Sequence, residues 1–223
     1  MQKVFSIAID GPAGAGKSTV AKAVAKRLGA VYLDTGAMYR TMGLYMKQNN
    51  LSGTDSIAKA CGTPRVEVRF VGGEQHMILD GVDVTGLIRT PEASILASKV
   101  SAVVAVRERM VALQRQFAEG NSVVMDGRDI GTDVLPNATL KIYLTASCET
   151  RAQRRFEELR AKGREEPFEK VLADIVERDY NDSHRAASPM RQAEDAVRVD
   201  TSDMTIEQAT DAIVRLAEKA IAG

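Results

Sequence analysis

The chain has 223 residues, 44% hydrophobic and 27% charged, which suits one α/β domain with a substantial core and inserted lobes. Its 30 Lys and Arg residues balance 30 Asp and Glu residues, so it has no chain-wide basic field for nucleic acid or a membrane surface. No run of about 18 apolar residues suggests a membrane span, and two distant cysteines, Cys61 and Cys148, indicate free thiols in a reducing, cytoplasmic compartment.

The first half of the chain alternates strands and helices until a strand-rich insert begins. Residues 4–9 form a short apolar stretch typical of a buried parallel strand, and apolar positions in 17–28 repeat at helical spacing. A second strand is predicted at 31–33 and a second helix at 37–47. The stretch 65–71 then alternates strictly, and Gly-Gly and Asp-Gly turns separate it from two further short strands. These strands predict a small antiparallel lobe.

The second half returns to alternating helices and strands. The predicted elements are helix 91–118, strands 122–126 and 140–144, an arginine-rich helix 149–161, helix 167–184, strand 196–199 and a last helix from Thr205. Because β and α elements alternate, we expect a parallel sheet with helices on both faces. The predicted fold class is therefore α/β, with a five-stranded parallel sheet, three layers and an inserted antiparallel lobe.

A phosphate-binding loop follows the first strand directly. GPAGAGKS matches G-x-x-x-x-G-K-[ST], with a strand before it and a helix after it. Glycines let backbone N–H groups turn inward around an anion, and the helix N-terminus adds the positive end of its dipole. We predict that Lys17 reaches the β and γ phosphates of ATP and that the Ser18 hydroxyl binds Mg²⁺. The predicted ATP-binding residues are Gly11, Pro12, Ala13, Gly14, Ala15, Gly16, Lys17, Ser18 and Thr19.

This P-loop alone does not distinguish a kinase from a GTPase or a motor ATPase. The chain has no N-K-x-D motif for guanine, and motor ATPases are usually larger. The second strand ends in DTGAMYR, which places Arg40 near the carboxyl edge of the sheet, where ligands of parallel sheets bind. We expect Arg40 to meet a second phosphate, and the alternative is a surface arginine on a helix.

Residues 151–164 hold six basic and two acidic side chains. Arg151, Arg154 and Arg155 stand at i, i+3 and i+4 and share one helix face, where like charges repel until a polyanion binds. We interpret the segment as a mobile lid that closes on the triphosphate, with catalytic roles for these three arginines. A solvated charged face is the alternative.

Two further motifs supply candidates for substrate binding. Arg178, Asp182 and Arg185 stand at i, i+4 and i+7 along the border of the apolar face of their helix, as cleft-lining residues do. A surface ion-pair ladder is the alternative. The stretch Asp126-Gly127-Arg128-Asp129 follows a strand, so it opens at the carboxyl edge. A carboxylate there accepts from an exocyclic amine such as cytosine N4, and Arg128 donates to a ring acceptor or a phosphate.

These blocks together resemble the bacterial cytidylate (CMP) kinases over nearly the whole chain. The most specific of them are DTGAMYR, DGRD and RDYNDSHR in that order, with the strand-rich insert. The resemblance implies transfer of phosphate from ATP to CMP or dCMP with Mg²⁺. It also implies a P-loop core at 1–40, 90–150 and 165–223, a monophosphate-binding lobe at 41–89 and a lid at 151–164.

The resemblance also implies the substrate-binding residues. They are Thr35, Arg40, Ser98, Arg107, Arg128, Asp129, Arg178, Asp182 and Arg185. In such enzymes the residues at the positions of Ser98, Arg107 and Asp129 read the base. Those at Arg178 and Asp182 contact the sugar, and those at Arg40, Arg128 and Arg185 are nearer the phosphate.

Two other functions are compatible with these motifs when the family resemblance is left aside. One is a P-loop kinase for another small acceptor, such as UMP, AMP or shikimate, and the other is a non-enzymatic nucleotide-dependent switch. The absence of N-K-x-D argues against the switch. We expect a monomer whose partners are small-molecule substrates, with no nucleic-acid or membrane partner.

Overall fold

The computed structural model describes residues 4–223, which form two compact units. The first unit consists of the chain up to Tyr32 together with Gly120–Gly223, and the second is Leu33–Glu119. The predicted lobe at 41–89 lies within the second unit, which extends beyond it at both ends. The predicted division by function into core, lobe and lid does not coincide with these two units, and it stays a prediction.

The described residues contain eight strands and eight α-helices. The strands are β1 (Ser6–Asp10), β2 (Val31–Asp34), β3 (Val66–Val71), β4 (Glu74–Leu79), β5 (Val82–Asp83), β6 (Val123–Asp126), β7 (Leu140–Thr145) and β8 (Val197–Asp200). The helices are α1 (Lys17–Leu28), α2 (Thr35–Gln48), α3 (Thr54–Ala60), α4 (Pro91–Ser101), α5 (Val104–Ala118), α6 (Cys148–Ala161), α7 (Phe168–His184) and α8 (Ile206–Ala222). A π-helical turn spans Ile130–Val134. None of these helices is long and apolar enough to cross a membrane.

The large sheet has the strand order β2-β6-β1-β7-β8. Strand β1 pairs in parallel with β6 on one side and with β7 on the other, and β7 pairs in parallel with β8. The predicted five-stranded parallel sheet is therefore confirmed. The chain moves from β1 to one side of the sheet and later returns to the other side, so the carboxyl end of β1 lies at a topological switch point, where α/β folds bind ligands.

The apolar residues of the first unit form two separate cores. In the larger one, the central strands pack against α1 and α8, through side chains such as Ile9, Val24 and Ile213, which are almost fully buried. Helix α8 begins with the capping box of Thr205 and Gln208 that the sequence indicates. The smaller core joins α6 to α7 and consists of Ala152, Leu159, Val171 and Ile175, flanked by Phe156, Phe168 and Leu172.

The second unit contains the predicted antiparallel lobe. Strands β3, β4 and β5 form a three-stranded sheet, in which Val66 pairs with Leu79 and Val71 with Glu74. Gly72 and Gly73 make the turn with φ of 60° and 82°, a conformation that favours glycine. The unit also contains α2 through α5, and the seven-residue helix α3, which has no buried residue to give it a periodic pattern, was not predicted.

The helix predicted at 91–118 is interrupted between α4 and α5. Val103 is extended, with φ −85° and ψ 116°, so the helical hydrogen-bond ladder stops there. Ser101 Oγ donates to the Ser98 carbonyl at 2.9 Å, and Arg107 Nη1 donates to the Ser101 carbonyl at 3.3 Å. A side chain from the following helix thus satisfies a carbonyl that the break releases.

Close packing of α2 on α4 predicts a cost for adding one methyl group. In Gly43→Ala, the new Cβ would lie 2.7 Å from Leu96 Cβ and 3.1 Å from the Leu96 carbonyl carbon, a contact that side-chain rotation does not relieve. Alanine gains about 1 kcal/mol of helix propensity, but overpacking costs about 1–3 kcal/mol. We expect a net loss of roughly 1 kcal/mol, and at most about 2 kcal/mol, in the free energy of unfolding, measured by urea denaturation.

The matched control is Gly62→Ala, because a Cβ at this exposed position meets no atom within 4 Å. We expect its stability to stay within about 1 kcal/mol of the parent value. Equal stability of the two variants would contradict the packing argument.

Candidate functional site

The predicted phosphate-binding loop joins β1 to α1 in the first unit. Gly11, Gly14 and Gly16 have φ of 144°, 75° and 87°, so the loop needs glycine at these positions. A Cβ on Gly11 would also lie 2.0 Å from the Leu144 carbonyl oxygen of β7. The fixed loop leads directly into the N-terminus of α1, where a helix offers N–H groups to an anion.

Lys17 is buried at the start of α1, and its Nζ donates to the Pro12 carbonyl at 2.7 Å. Burial lowers the pKa of Lys17 well below its ordinary value, and the positive charge of Arg128 lowers it further, while Asp126 and Asp10 oppose the change. A phosphate bound beside Lys17 would favour its ammonium form.

Ser18 lies in a short chain of hydrogen bonds. Its Oγ donates to Asp126 Oδ2 at 2.8 Å, and the Tyr32 hydroxyl donates to Asp126 Oδ1 at 2.8 Å. A hydroxyl and a carboxylate are oxygen ligands of the kind that Mg²⁺ prefers. Residues 4–223 hold no group of three or more His, Cys, Asp and Glu side chains arranged for a metal. Mg²⁺ typically binds one or two protein carboxylates and takes its other ligands from water and substrate phosphates, which is compatible with the two oxygen-bearing side chains here.

The sequence motifs did not single out Asp126 as a candidate Mg²⁺ ligand. The signal that could have identified it is an acidic residue at the end of an apolar strand that pairs with the P-loop strand. A carboxylate in this place is what Mg²⁺-binding P-loop proteins use.

Asp10, at the end of β1, fixes the π-helical turn. Its two carboxylate oxygens accept from the N–H groups of Ile130 at 2.8 Å and Gly131 at 2.7 Å. Burial raises the pKa of Asp10 to about 7, against the lowering effect of these two hydrogen bonds. The turn begins directly after Arg128 and Asp129, so Asp10 ties their main chain to the strand that carries the P-loop.

The structure brings together five of the predicted substrate-binding residues in the first unit. Arg128 Nε donates to Asp182 Oδ2 at 2.8 Å, and Arg178 Nε lies 3.9 Å from the same oxygen. Arg185 Nη2 donates to Asp129 Oδ1 at 3.3 Å. Burial opposes ionisation of Asp182, but Arg128 and then Arg178 hold its pKa below the usual value. Asp182 is only 4% exposed, which argues against a surface ion-pair ladder.

The three arginines predicted as a lid have different surroundings. Arg151 is buried and contacts the P-loop backbone, whereas Arg154 donates to the carbonyl and hydroxyl of Thr201 at 2.6 and 3.2 Å. Arg155 pairs with Glu158 at the surface. They share one helix, but the structure does not bring their guanidinium groups to one point, and their catalytic roles stay a prediction.

The second unit holds Arg40 by an ion pair at the start of α2. Arg40 Nη2 donates to Asp34 Oδ2 at 2.7 Å, and Asp34 Oδ1 caps the helix by accepting from the Ala37 N–H at 2.9 Å. Gln75 of β4 fixes the main chain of Asp34, accepting from its N–H at 2.8 Å and donating to its carbonyl at 3.1 Å. Sequence reasoning missed Gln75, whose contact joins residues distant in sequence.

The remaining predicted residues also lie in the second unit. Arg107 is buried, and its guanidinium carbon lies 5.6 Å from the centre of the Tyr39 ring. Ser98 is half-buried on α4, and its carbonyl accepts from Ser101. Thr35 is buried in the first turn of α2. The break between α4 and α5 therefore holds Arg107 beside the segment that carries Ser98.

Comparisons with known proteins agree with this architecture. The family model described as cytidylate kinase matches residues 7–219. A cytidylate kinase of Caldicellulosiruptor bescii is 48% identical over 221 residues, covering 98% of this chain and 98% of that protein. One of Ligilactobacillus salivarius is 48% identical over 221 residues, with coverages of 98% and 99%. A solved structure of an uncharacterized Eubacterium ventriosum protein has a TM-score of 0.54 at 14% identity, covering 96% and 98%, a likeness of fold alone.

The buried carboxyl of Asp10 predicts a pH dependence of stability. Its pKa is about 7 in the folded protein against an ordinary value of 3.8. Between these values the folded state holds a proton that the unfolded state has released, so this group's contribution to the free energy of unfolding falls as pH rises. We expect Asp10→Asn to lose this decline between about pH 4 and 7, measured by urea denaturation.

The exposed Asp203→Asn serves as control and should keep the decline. An Asp10→Asn protein with the parent pH dependence would show that another group titrates.

Proposed function

The chain belongs to the cytidylate kinase family, and on this premise we propose that it transfers the γ-phosphoryl group of ATP to CMP and dCMP. As a member of this family it is a phosphotransferase. The observation that supports the proposal best is in the first unit, where the P-loop follows β1, and Arg128 and Asp129, which pair with Asp182 and Arg185, follow the adjacent strand β6.

The donor half of the proposal rests on the P-loop. Residues 11–19 surround the phosphates of ATP, which accept from main-chain N–H groups of the loop other than Pro12, which has none, and Ala13, whose N–H donates to Asp179, while Lys17 contacts the β and γ phosphates. Ser18 and Asp126, joined by a hydrogen bond of 2.8 Å, are the residues that would hold Mg²⁺. Mg²⁺, when bound, supplies charge neutralisation at the transferring phosphoryl group.

The acceptor half rests on the residues that the family resemblance implies. By that resemblance we assign the phosphate of CMP to Arg40, Arg128 and Arg185, the sugar to Arg178 and Asp182, and the base to Ser98, Arg107 and Asp129, and we propose Thr35 as a further CMP-binding residue. The buried carboxylate of Asp129 supports its assignment, because an acceptor-only group favours the amino group of cytosine over the carbonyl of uracil. The hydrogen bond from Arg185 to Asp129 at 3.3 Å keeps that carboxylate oriented.

No general base is needed for this transfer. The acceptor is a phosphate oxygen whose second pKa is about 6, so it is largely deprotonated at neutral pH. The two histidines have other surroundings: His76 Nδ1 lies 2.6 Å from Asp83 Oδ2, and the ring of His184 stacks on Tyr180 at the surface. Catalysis then consists of positioning and charge neutralisation, with Lys17, Arg154 and Arg155 proposed as the cations that meet the phosphates.

An acceptor panel tests the proposed reaction. ADP release from ATP and Mg²⁺ is measured by a coupled assay with CMP, dCMP, UMP, AMP and shikimate, each over a range of concentrations. We expect CMP and dCMP to give the highest kcat/KM. A higher kcat/KM for another acceptor, or no turnover with any of them, would contradict the proposal.

Replacing Asp129 tests the assignment of the base. Asp129→Asn keeps the shape but places a donor where a pure acceptor stands, so we expect the ratio of kcat/KM for CMP to that for UMP to fall by about tenfold. The neighbouring Asp133→Asn is the control and should leave the ratio unchanged. The same ratio in the parent and in Asp129→Asn would exclude Asp129 as the base-reading residue.

A further inference from the structure

One ion pair holds both main-chain groups of Ala13 in the P-loop. Asp179 Oδ1 accepts from the Ala13 N–H at 3.0 Å, and Arg151 Nη1 donates to the Ala13 carbonyl at 2.8 Å. The two side chains also bind each other, since Arg151 Nη1 donates to Asp179 Oδ2 at 2.6 Å. Ala13 is therefore fixed from α6 and α7 rather than by the loop alone.

Arg151 is itself held rigidly. Its Nε donates to the Ala146 carbonyl at 3.0 Å, its Nη2 lies 3.0 Å from Cys148 Sγ, and its side chain is 4% exposed. A Cβ on Gly14 would lie 3.2 Å from Arg151 Cβ and 3.3 Å from its carbonyl oxygen. The P-loop backbone thus rests directly on the first turn of α6.

Arg151 and Asp179 belong to one packed body. Helices α6 and α7 share their own apolar core, which includes Ala152 and Ile175 beside the two charged positions. The side chains of this ion pair are 4% and 19% exposed. Removing either partner destabilises the protein, because the other is left as an uncompensated charge away from water. The geometry of Ala13 therefore depends on both side chains.

We propose that Asp179 and Arg151 are positioning residues that hold the outer turn of the P-loop in the shape that binds the polyphosphate of the donor. Arg151 then acts through the backbone of Ala13 and Gly14, not by contacting the transferred phosphoryl group. The proposal rests on the proposed function only for the identity of the donor, ATP, and it assigns Arg151 a role different from the catalytic one expected from helical spacing.

The two roles of Arg151 predict different measurements. A positioning residue for the P-loop affects binding of ADP as well as ATP, because both place a β phosphate in the loop. A catalytic arginine that contacts only the transferred group affects kcat and leaves ADP binding unchanged. Binding of CMP, the acceptor, should not respond to the position of Ala13.

The experiment uses the full-length variants Asp179→Asn and Arg151→Lys. ADP and CMP affinities are measured separately by isothermal titration calorimetry, and KM for ATP and kcat by the coupled assay. We expect ADP binding to weaken about tenfold, or about 1.4 kcal/mol, with KM for ATP rising in parallel and CMP affinity within about twofold. The double variant should bind ADP no more weakly than the single variant with the lower ADP affinity, because both substitutions break the same set of hydrogen bonds.

The matched control is Asp174→Asn, which removes an exposed carboxylate from the same helix and should leave ADP binding unchanged. Unchanged ADP affinity in Asp179→Asn and Arg151→Lys, or an equal loss of CMP affinity, would overturn the proposal. If the parent binds ADP as expected but shows no turnover with CMP, the proposed function fails while this test stands.

A second measurement needs no variant. The amide proton of Ala13, which donates to Asp179, should be protected from hydrogen exchange in the nucleotide-free protein. Exchange at the rate of an unstructured peptide would show that Asp179 does not hold the loop.

Discussion

Three arginines of the first unit, whose side chains are 4–19% exposed, are neutralised by carboxylates of the same unit. Arg128 pairs with Asp182, Arg185 with Asp129 and Arg151 with Asp179. An unpaired buried charge costs several kcal/mol, so a protein that keeps cations in its interior for phosphates must also bury their counter-charges. This constraint explains why the stretches DGRD at 126–129 and RDYNDSHR at 178–185 interleave arginines with aspartates.

The fold meets this constraint by placing the charged segments at the carboxyl ends of adjacent strands. The P-loop follows β1, the Arg128 segment follows β6, and Asp10 links the two by accepting two N–H groups of the π-helical turn. Under the proposed function, a phosphate of the substrate replaces a carboxylate as the ion-pair partner of an arginine. The cations are then already oriented, and little of the binding free energy is lost in ordering them.

Much of this fold follows from local sequence, because hydrophobic periodicity and the P-loop motif depend on neighbouring residues. The break between α4 and α5 does not follow from local sequence, because it involves a hydrogen bond from the Arg107 side chain to the Ser101 carbonyl. Helical spacing correctly placed Arg151 and Arg155 on one helix, yet one contacts the P-loop and the other pairs with Glu158 at the surface. Periodicity indicates which residues share a face, but long-range packing decides what that face meets.

The side-chain Nε–H groups of Arg128, Arg151 and Arg185 test this account most directly, because they donate to Asp182 and to the carbonyls of Ala146 and Ser188. In a ¹H–¹⁵N spectrum of the nucleotide-free protein, we expect three arginine signals that are shifted from the solvent-averaged group and protected from exchange. In Asp182→Asn only the Arg128 signal should move towards that group. A single averaged arginine signal in the parent protein would contradict the claim that these cations are held in place before a nucleotide binds.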